Sequence, residues 1–342
     1  MKIKSPLANK KEVKALCLAG ADELFCGIEP YNWRRQYKDF CISQRFAKDN
    51  FSRLAELEEA IHIAHQYKAK VHVAINAFFY LEKQYEIVQR IIKDVLGAGA
   101  DGIILVDLGL LSTMDKMLLR HKDVVIGCDA VIFNSASVEF YKKLGATRIV
   151  MPRSMSIEEI SEVVKLNVAI EYEVFIINDL CFFEDGLCTY CKEQSGTITK
   201  EGKGIKKFRL FSSLRMPTRG FGGGCRTKFS RQRISLMQNR KIKVNRIFCF
   251  WDKKHIEGCG ACALYDFKMS GITSLKVLDR SLPIEERVKA TTFITKSLAF
   301  LKDDDISRED YVEKCRALFK QTFKTKCNQY DCYYPSWKKL CI

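Results

Sequence analysis

The sequence has no apolar run long enough to cross a membrane. A spanning helix needs about 18 or more apolar residues, whereas the longest apolar stretch here, residues 102–111, is interrupted by Asp107. The opening MKIKSP has no apolar core for a secretory signal. With only 6 prolines and 19 glycines in 342 residues, a collagen-like chain is excluded too. We therefore expect a globular, cytoplasmic protein with no membrane contact.

Hydrolase and dinucleotide-binding motifs are also missing. None of the five histidines belongs to an HExxH zinc-protease pattern. No Ser/His/Asp or Cys/His triad has supporting context. No GxGxxG follows the first strand-like segment, so dinucleotide binding has no support.

Acidic residues are scarce in one stretch of the chain. Residues 192–246 contain 16 lysines and arginines but two acidic residues, a net charge of +14 against +16 for the whole chain. Cations neutralise phosphates, and the interleaved phenylalanines are suited to stacking on unpaired bases. The stretch predicts RNA binding, whereas a solvated surface, an acidic peptide, a carrier protein or a partner subunit is the alternative. The candidate RNA contacts are Arg226, Lys228, Arg231, Arg233, Arg240 and Lys241.

Strand-like and helix-like segments alternate along the first half of the chain. Glycine turns of the type Gly-Ala-(Asp/Thr) precede several of the strand-like segments. This alternation predicts a parallel sheet, and eight units favour an α/β (β/α)8 TIM-barrel-like domain over an open sheet. The strand-like segments are residues 2–5, 23–27, 70–76, 102–107, 124–129, 148–152, 170–176 and 274–279, and the helix-like segments are residues 10–19, 52–67, 84–97, 110–120, 135–144 and 157–165.

The alternation stops after residue 176, well before the eighth strand-like segment. We expect a Cys-rich, basic insertion at residues 177–272 between strands seven and eight. Within it, residues 206–214 and 243–251 are suited to a hairpin. The barrel then comprises residues 1–176 and 273–300, and residues 301–342 form a C-terminal helix and a Cys/aromatic tail.

The chain has 15 cysteines, and a reducing compartment favours metal or redox chemistry over disulfides. Thiolates select zinc, copper(I) or iron–sulfur clusters. The Cys188-x2-Cys191 and Cys259-x2-Cys262 pairs fit a zinc site, and four thiols from separate turns fit a cubane cluster. Buried packing cysteines are the third interpretation. The insertion contains Cys181, Cys188, Cys191, Cys225, Cys249, Cys259 and Cys262.

Several short segments together resemble the U32 peptidase family, the collagenase-like proteins. Residues 19–27 (AGADELFCG) are similar to its opening AGADAVYFGG, and residues 144–153 (LGATRIVMPR) to LGVxRVVLAR. Other segments follow in the family's order. They are EVF at 173–175, DLC at 179–181, GLC at 186–188, GCR at 224–226, ACAL at 261–264 and SLK at 274–276 with Arg280.

This resemblance implies a barrel-like domain with a [4Fe–4S] cluster on Cys181, Cys188, Cys225 and Cys262. The fallback ligands are Cys41, Cys191 and Cys259, and zinc is the alternative metal. The family implies oxygen-independent hydroxylation of tRNA, rRNA or ubiquinone precursors, in some members with prephenate. Three other functions are possible interpretations of the sequence. They are hydroxylation of a small aromatic or peptide substrate, a non-catalytic iron–sulfur subunit acting with a partner of the same family, and a collagenase-like peptidase.

The chain departs from the family pattern near the expected site. Ile177-Asn178 stands where the family has His-Gly, and Asp129 replaces a glutamine after the fifth strand. Leu278-Asp279 replaces Glu-Gly before Arg280, and Phe229 replaces a second cysteine. We therefore expect the pocket chemistry to differ in detail from that of the family's hydroxylases.

Polar residues at the predicted strand ends are the pocket candidates, because barrel enzymes build their sites there. Arg153 and Arg280 are suited to holding a carboxylate co-substrate through paired hydrogen bonds. The alternative for each is a rim salt bridge to Asp129 or Asp279. Asp129, Arg153, Asn178 and Arg280 are the catalytic candidates, and Glu29, Asn76, Asp107 and Asp279 complete the pocket set.

Overall fold

The computed structural model describes most of the chain in two compact units. The first comprises Met1–Cys188 with Ile256–Ile342, and the second comprises Thr189–His255. The described residues are 1–37, 41–43, 49–166, 169–181, 184–187, 258–327 and 331–335, together with the backbone of 230–235 and 243–248.

Eight parallel strands of the first unit close into a barrel in the order β1-β10-β7-β6-β5-β4-β3-β2. This confirms the predicted (β/α)8 class, and each of the eight predicted segments overlaps one of these strands, with ends that agree to within about three residues. The strands are β1 Lys2–Pro6, β2 Glu23–Gly27, β3 Lys70–Ala74, β4 Gly102–Leu105, β5 Asp123–Ile126, β6 Arg148–Val150, β7 Glu171–Ile177 and β10 Ser274–Val277.

The second unit contains an antiparallel pair of strands, β8 (Ser230–Ser235) and β9 (Lys243–Phe248). Arg231 is in register with Ile247, and Arg233 with Asn245. The strand at 243–248 thus pairs with 230–235. The other half of the expected hairpin, residues 206–214, lies outside the described residues.

Helices cover the outside of the barrel, and none of those described is both long and apolar enough to cross a bilayer. Their apolar faces follow the expected 3.6-residue period, as in α3, which buries Leu57, Ala60, Ile61 and Ala64. The helices are α1 Val13–Leu18, α2 Tyr31–Gln36, α3 Leu54–Gln66, α4 Glu82–Gly97, α5 Leu108–Thr113, α6 Ser135–Lys143, α7 Ile157–Leu166, α8 Leu264–Ser270, α9 Ile284–Phe300 and α10 Arg308–Phe323.

The helix expected at 110–120 is shorter, because the backbone becomes extended at Met114 after α5. Helices α2, α8 and α9 were not predicted. For α9 a signal was present, since Pro283 precedes a first turn with Glu285 and Glu286, and acidic residues are favourable at a helix N-terminus.

The barrel interior consists of an ionic layer followed by an apolar layer. The ionic residues Glu23, Asp123, Arg148, Glu173 and Lys276 are each followed two positions later by an apolar residue, as the strand period requires. The apolar layer is one buried cluster containing Phe25, Ala74, Ile104, Val125, Val150, Phe175 and Leu278.

Arg148 is the centre of the ionic layer. Its guanidinium donates to both carboxylate oxygens of Glu23, at 2.5 and 2.8 Å, and to Glu173 at 3.2 Å. Lys4 Nζ lies 2.5 Å from one Glu173 oxygen, and Lys276 Nζ lies 3.0 Å from the other. All five side chains are at most 9% exposed, so each charge is satisfied by its neighbours and not by water.

The ionic layer shifts the pKa values of Glu23 and His72. Burial would raise the pKa of Glu23, but the Arg148 hydrogen bonds and the charges of Lys4 and Arg148 outweigh it and lower the pKa to about 2. Burial lowers the pKa of His72, whose Nε2 lies 2.9 Å from Asp123. Glu23 is therefore held ionised and His72 is held neutral in the folded barrel.

We predict that Arg148→Met strongly destabilises the barrel. The substitution leaves the buried Glu23 and Glu173 carboxylates without their guanidinium partner, and breaking a buried ion pair on one side costs about 3–5 kcal/mol. Urea denaturation of the full chain measures this loss. Arg90→Met is the matched control, because Arg90 pairs with Glu86 while 65% exposed, and we expect a change below about 1 kcal/mol. Equal losses in the two variants would contradict the assignment.

We predict that the free energy of unfolding falls in two steps on acidification. Unfolded histidine binds a proton below its ordinary pKa of 6.5 while folded His72 resists it, so stability declines from about pH 6.5 at no more than about 1.4 kcal/mol per pH unit. The Glu23 contribution is complete above 4.5 and is lost as the pH falls towards 2. Denaturation at several pH values should show a shallower slope near pH 6 for His72→Gln than for the surface control His62→Gln. An unchanged slope would count against the His72 assignment.

Candidate functional site

The mouth of the barrel, at the carboxyl ends of its strands, has strained backbone. Val131, Asn178, Asp179 and Asp279 have φ angles of 59°, 68°, 48° and 69°. These residues follow β5, β7 and β10. Asn and Asp adopt left-handed backbone readily, whereas a β-branched valine there is strained, and such strain is concentrated at functional sites. The strain therefore supports the mouth as the site.

Asn178, a catalytic candidate, connects three segments at the end of β7. Its N–H donates to the Gly258 carbonyl at 2.9 Å, and its side-chain amide donates to the Leu278 carbonyl at 3.4 Å. Gly258 has φ 103°, and a Cβ there would lie 2.6 Å from Leu180 Cβ, so only glycine fits. The geometry gives Asn178 a structural role, holding residues 258–260 against β7.

Residues 331–335 lie over the mouth, a contact that the sequence analysis missed. Tyr333 is fully buried and stacks on Phe175 with ring centroids 6.4 Å apart. Its hydroxyl donates to the Asn178 carbonyl, and the Tyr334 hydroxyl donates to the Phe175 carbonyl at 2.9 Å. The two tyrosines exclude water from this side of the barrel interior.

Arg153, the second candidate, is engaged by the loop that follows β7. Its Nε and Nη2 donate to the Asp185 carboxylate at 3.0 and 2.5 Å, and its Nη1 donates to the Asp179 carbonyl at 2.6 Å. The guanidinium also lies 5.0 Å from the centre of the Phe175 ring. The expected rim partners were Asp129 or Asp279, whereas the bidentate partner is Asp185.

Asp129, the third candidate, lies beside this pair and is half-buried. The ligand atoms of Cys128, Asp129 and Asp185 all lie within 4.8 Å of one another. Gly186 packs on this group, since a Cβ there would lie 2.2 Å from the Asp129 carbonyl oxygen. Residues 184–187 thus lie against the residues that follow β5, and Asp185 joins them to Arg153.

Arg280, the fourth candidate, follows the end of β10 and is 4% exposed. Its guanidinium carbon is 5.9 Å from the centre of the Phe25 ring, and Lys276 Nζ is 4.9 Å from the same ring. A Cβ on Gly27 would lie 2.6 Å from Arg280 Nη1. Glycine at the end of β2 therefore makes room for the guanidinium, and both cations contact the Phe25 ring.

The other pocket candidates differ in whether their polar atoms already make hydrogen bonds within the fold. Asp107 caps α5, accepting from the Leu110 N–H at 2.6 Å. Asp279 accepts from the Ser281 N–H at 3.0 Å. Glu29 is buried, which raises its pKa, and accepts from Asn50 at 3.5 Å. Asn76 Oδ1 is buried and accepts no hydrogen bond from the described residues, so Asn76 is the pocket candidate whose acceptor is open to a ligand donor.

The predicted cluster ligands are only partly described. Cys181 and Cys262 are both half-buried in segments joined to the end of β7, since Gly260 N–H donates to the Ile176 carbonyl at 2.7 Å. Cys259 is buried, and Cys41 is half-buried beside Glu29. The candidates outside the described residues are Cys188, Cys191, Cys225, Arg226, Lys228, Arg240 and Lys241.

Sequence reasoning missed Lys276, Asp185 and Tyr333. Lys276 had a signal, because a charge at an alternate position of an otherwise buried parallel strand points into the barrel. Asp185 and Tyr333 had none, because each contacts a residue distant in sequence, Arg153 and Asn178.

The fold and the site define a TIM-barrel protein with cations, carboxylates and thiols around the strand ends. The chain belongs to peptidase family U32, whose profile matches residues 8–336. It is therefore a U32 protein, as the ordered motifs had indicated.

Within the family, the chain is similar to proteins named for RNA hydroxylation. It is 25% identical to tRNA hydroxylation protein P of Helicobacter pylori (strain J99) over 198 residues, 58% of this chain and 44% of that protein. It is 26% identical to the 23S rRNA 5-hydroxycytidine C2501 synthase of Escherichia coli (strain K12) over 215 residues, 63% of this chain and 30% of that protein.

Another relative is named as a protease. The chain is 30% identical over 189 residues to the uncharacterized protease MJ0090 of Methanocaldococcus jannaschii, covering 54% of this chain and 42% of that protein. The chain thus spans less than half the length of each of these three relatives.

We predict that Arg153→Lys loosens the Cys181-bearing loop. Lysine cannot reproduce the two parallel hydrogen bonds to Asp185 together with the bond to the Asp179 carbonyl. Losing a charge-assisted hydrogen bond here should cost about 1.5–3 kcal/mol and speed amide hydrogen exchange in residues 179–187.

Arg308→Lys is the matched control, because Arg308 makes the same bidentate contact with Asp266 while 50% exposed. We expect a loss below about 1 kcal/mol there. If Arg153→Lys leaves exchange in 179–187 unchanged, the bracing role is refuted.

Proposed function

We propose that this chain takes part in oxygen-independent hydroxylation of RNA, either tRNA or rRNA, in the cytoplasm. The similarity to proteins named for tRNA hydroxylation and for 5-hydroxycytidine synthesis in 23S rRNA carries the proposal. The +14 charge of residues 192–246 supports an RNA substrate independently, because phosphate neutralisation dominates RNA affinity.

A [4Fe–4S] cluster is the proposed cofactor, with zinc as the alternative metal. Cys181 and Cys262 would supply two thiolates from segments joined to β7, and Cys188 and Cys225 the others. Thiolates are the donors that such clusters use. When bound, the cluster supplies one-electron redox chemistry beside the pocket.

The chain's own residues provide a place for a small carboxylate co-substrate of the prephenate type. Arg280 and Lys276 lie at one aromatic ring, Phe25, where the buried surroundings strengthen charge-assisted hydrogen bonds. Asn76 Oδ1 would accept a hydrogen bond from a hydroxyl group of such a ligand. Arg153, fully engaged with the loop of Asp185, is assigned to holding that loop rather than to the co-substrate.

RNA would contact the basic segment through the six predicted residues, of which Arg231 and Arg233 lie on β8. A second U32 subunit is the proposed partner.

The second candidate function is hydroxylation of a small aromatic or peptide substrate. A role as a non-catalytic iron–sulfur subunit is the remaining alternative. A peptidase is disfavoured, because His62 and His65 lie on the outer helix α3 and His72 is engaged in the ionic layer.

Nucleoside mass spectrometry of tRNA and rRNA from strictly anaerobic cells tests this function. We predict that deleting the gene removes a nucleoside carrying one added oxygen atom, and that the wild-type chain restores it. Arg280→Lys should restore little, since losing a charge-assisted hydrogen bond weakens co-substrate binding about tenfold to hundredfold.

Arg90→Lys, on the exposed face of α4, is the control and should restore the nucleoside fully. An unchanged nucleoside profile in the deletion strain would refute the RNA function. A changed profile of small aromatic metabolites instead would favour the second candidate.

A further inference from the structure

Helix α2 lies at the mouth of the barrel and is anchored there by a buried tryptophan. The helix begins at Tyr31, shortly after the end of β2. Trp33 is 2% exposed, and its ring centroid lies 4.6 Å from that of Tyr37 and 6.3 Å from that of Tyr80. The Tyr80 hydroxyl in turn donates to the Ile42 carbonyl at 2.7 Å. The helix is therefore fixed to the loops that follow β2 and β3.

The opposite face of α2 presents an aromatic ring and a cation that the fold itself does not use. Tyr31 is 70% exposed, and Arg35, one helical turn later on the same face, is exposed too. Neither side chain makes a hydrogen bond, an ion pair or a ring contact with the described residues. Asn32 and Gln36 are also exposed, so the exposed part of α2 has no aliphatic side chain.

A second exposed aromatic ring lies in the adjoining loop. Phe79 is 48% exposed and directly precedes Tyr80, whose ring meets Trp33. Tyr31 and Phe79 therefore belong to segments that pack together at the rim of the barrel. Exposed aromatic rings stack on unpaired bases, and they do so with little regard to base identity.

The stretch of sequence around α2 is basic as well as aromatic. Residues 31–46 contain four lysines and arginines against one acidic residue, a net charge of +3, and five aromatic residues. Residues 38–40 and 44–46 of this stretch lie outside the described residues. The stretch is separate in sequence from the basic residues 192–246. Both features favour a polyanion with planar groups as the ligand.

We propose that Tyr31, Arg35 and Phe79 form a platform for single-stranded RNA, in which the two rings stack on bases and the guanidinium contacts a phosphate. The identity of the ligand as RNA rests on the proposed function, and the platform adds that the strand is unpaired where it meets the mouth. Bases inside a duplex are stacked on each other and leave no face for a side chain. A protein partner fits less well, because interface centres are depleted of polar residues such as Asn32 and Gln36.

The platform lies close to the pocket of the proposed co-substrate. A Cβ on Gly27 would lie 2.6 Å from Arg280 Nη1, so the end of β2 touches that guanidinium. Four residues of extended chain span at most about 14 Å, which limits the distance between the Cα atoms of Gly27 and Tyr31. We therefore assign the platform to nucleotides that flank the reacting one.

Fluorescence anisotropy with the full chain tests the platform. The probe is a labelled single-stranded RNA of about 12 nucleotides, compared with the same strand in a duplex. We predict that Tyr31→Ala weakens single-strand binding about fivefold to 150-fold, the effect of losing one stacked base, and leaves duplex binding unchanged. Tyr31→Phe keeps the ring and should bind as the wild-type chain does.

Two matched controls separate the platform from general surface effects. Tyr67→Ala removes a tyrosine that is 37% exposed at the end of α3, just before the amino end of β3, and should bind both RNAs normally. Arg35→Gln should reduce the slope of log affinity against log salt by about 0.7, the value for one phosphate contact of a single strand. Arg90→Gln, on the exposed face of α4, should leave the slope unchanged.

Three results would overturn the platform. The first is wild-type single-strand affinity in both Tyr31→Ala and Phe79→Ala, and the second is an equal loss of single-strand and duplex affinity in Tyr31→Ala. The third is an oligoglutamate peptide whose binding depends on Tyr31 while RNA binding does not, which would assign the surface to an acidic protein partner.

The platform and the proposed function fail separately. If deleting the gene leaves the nucleosides of tRNA and rRNA unchanged while Tyr31→Ala loses single-strand affinity, RNA hydroxylation is wrong and the platform stands. If the nucleoside depends on the gene while Tyr31→Ala and Phe79→Ala bind RNA normally, the platform is wrong and the function stands.

Discussion

The pairing of Arg148 with Glu23 and Glu173 inside the barrel is the constraint on which the rest of the structure depends. With Lys4 and Lys276, it joins strands β1, β2, β6, β7 and β10 across the interior. Charges removed from water are tolerated only when their partners are held in good geometry, so these strands must keep one register. That fixed register sets the heights at which the strands end, and hence where the mouth residues lie.

Strand β7 carries this constraint from the ionic layer to the mouth. Glu173 lies in the ionic layer, and two residues later Phe175 meets both Arg153 and Tyr333. Ile177 then pairs with Cys259, and Cys181 follows four residues on. The cysteine-bearing segments are thus mounted on a strand that the buried charges hold, which suits a site whose ligands need fixed positions.

The sequence predicted the barrel well because its parallel strands are apolar runs separated by glycine turns and amphipathic helices. It also placed Arg153, Asn178 and Arg280 correctly at strand ends, because the end of a strand is a local property. It did not give the partners of these residues. Asp185 is 32 positions from Arg153, and Tyr333 is 155 positions from Asn178, so no local period connects them. Helix α9 was missed although its proline and acidic first turn were present.

The contacts of residues 331–335 with β7 affect the order in which the parts of the protein fold. Barrel closure already requires β1 to pair with β10, which joins segments made early and late in synthesis. The segment that covers Phe175 is made later still, after α10. During translation the barrel therefore exists for a time with its aromatic interior and its thiols uncovered. In that interval Phe175 lacks the aromatic ring of Tyr333 that stacks on it in the folded chain, and its carbonyl lacks the hydrogen bond from the Tyr334 hydroxyl.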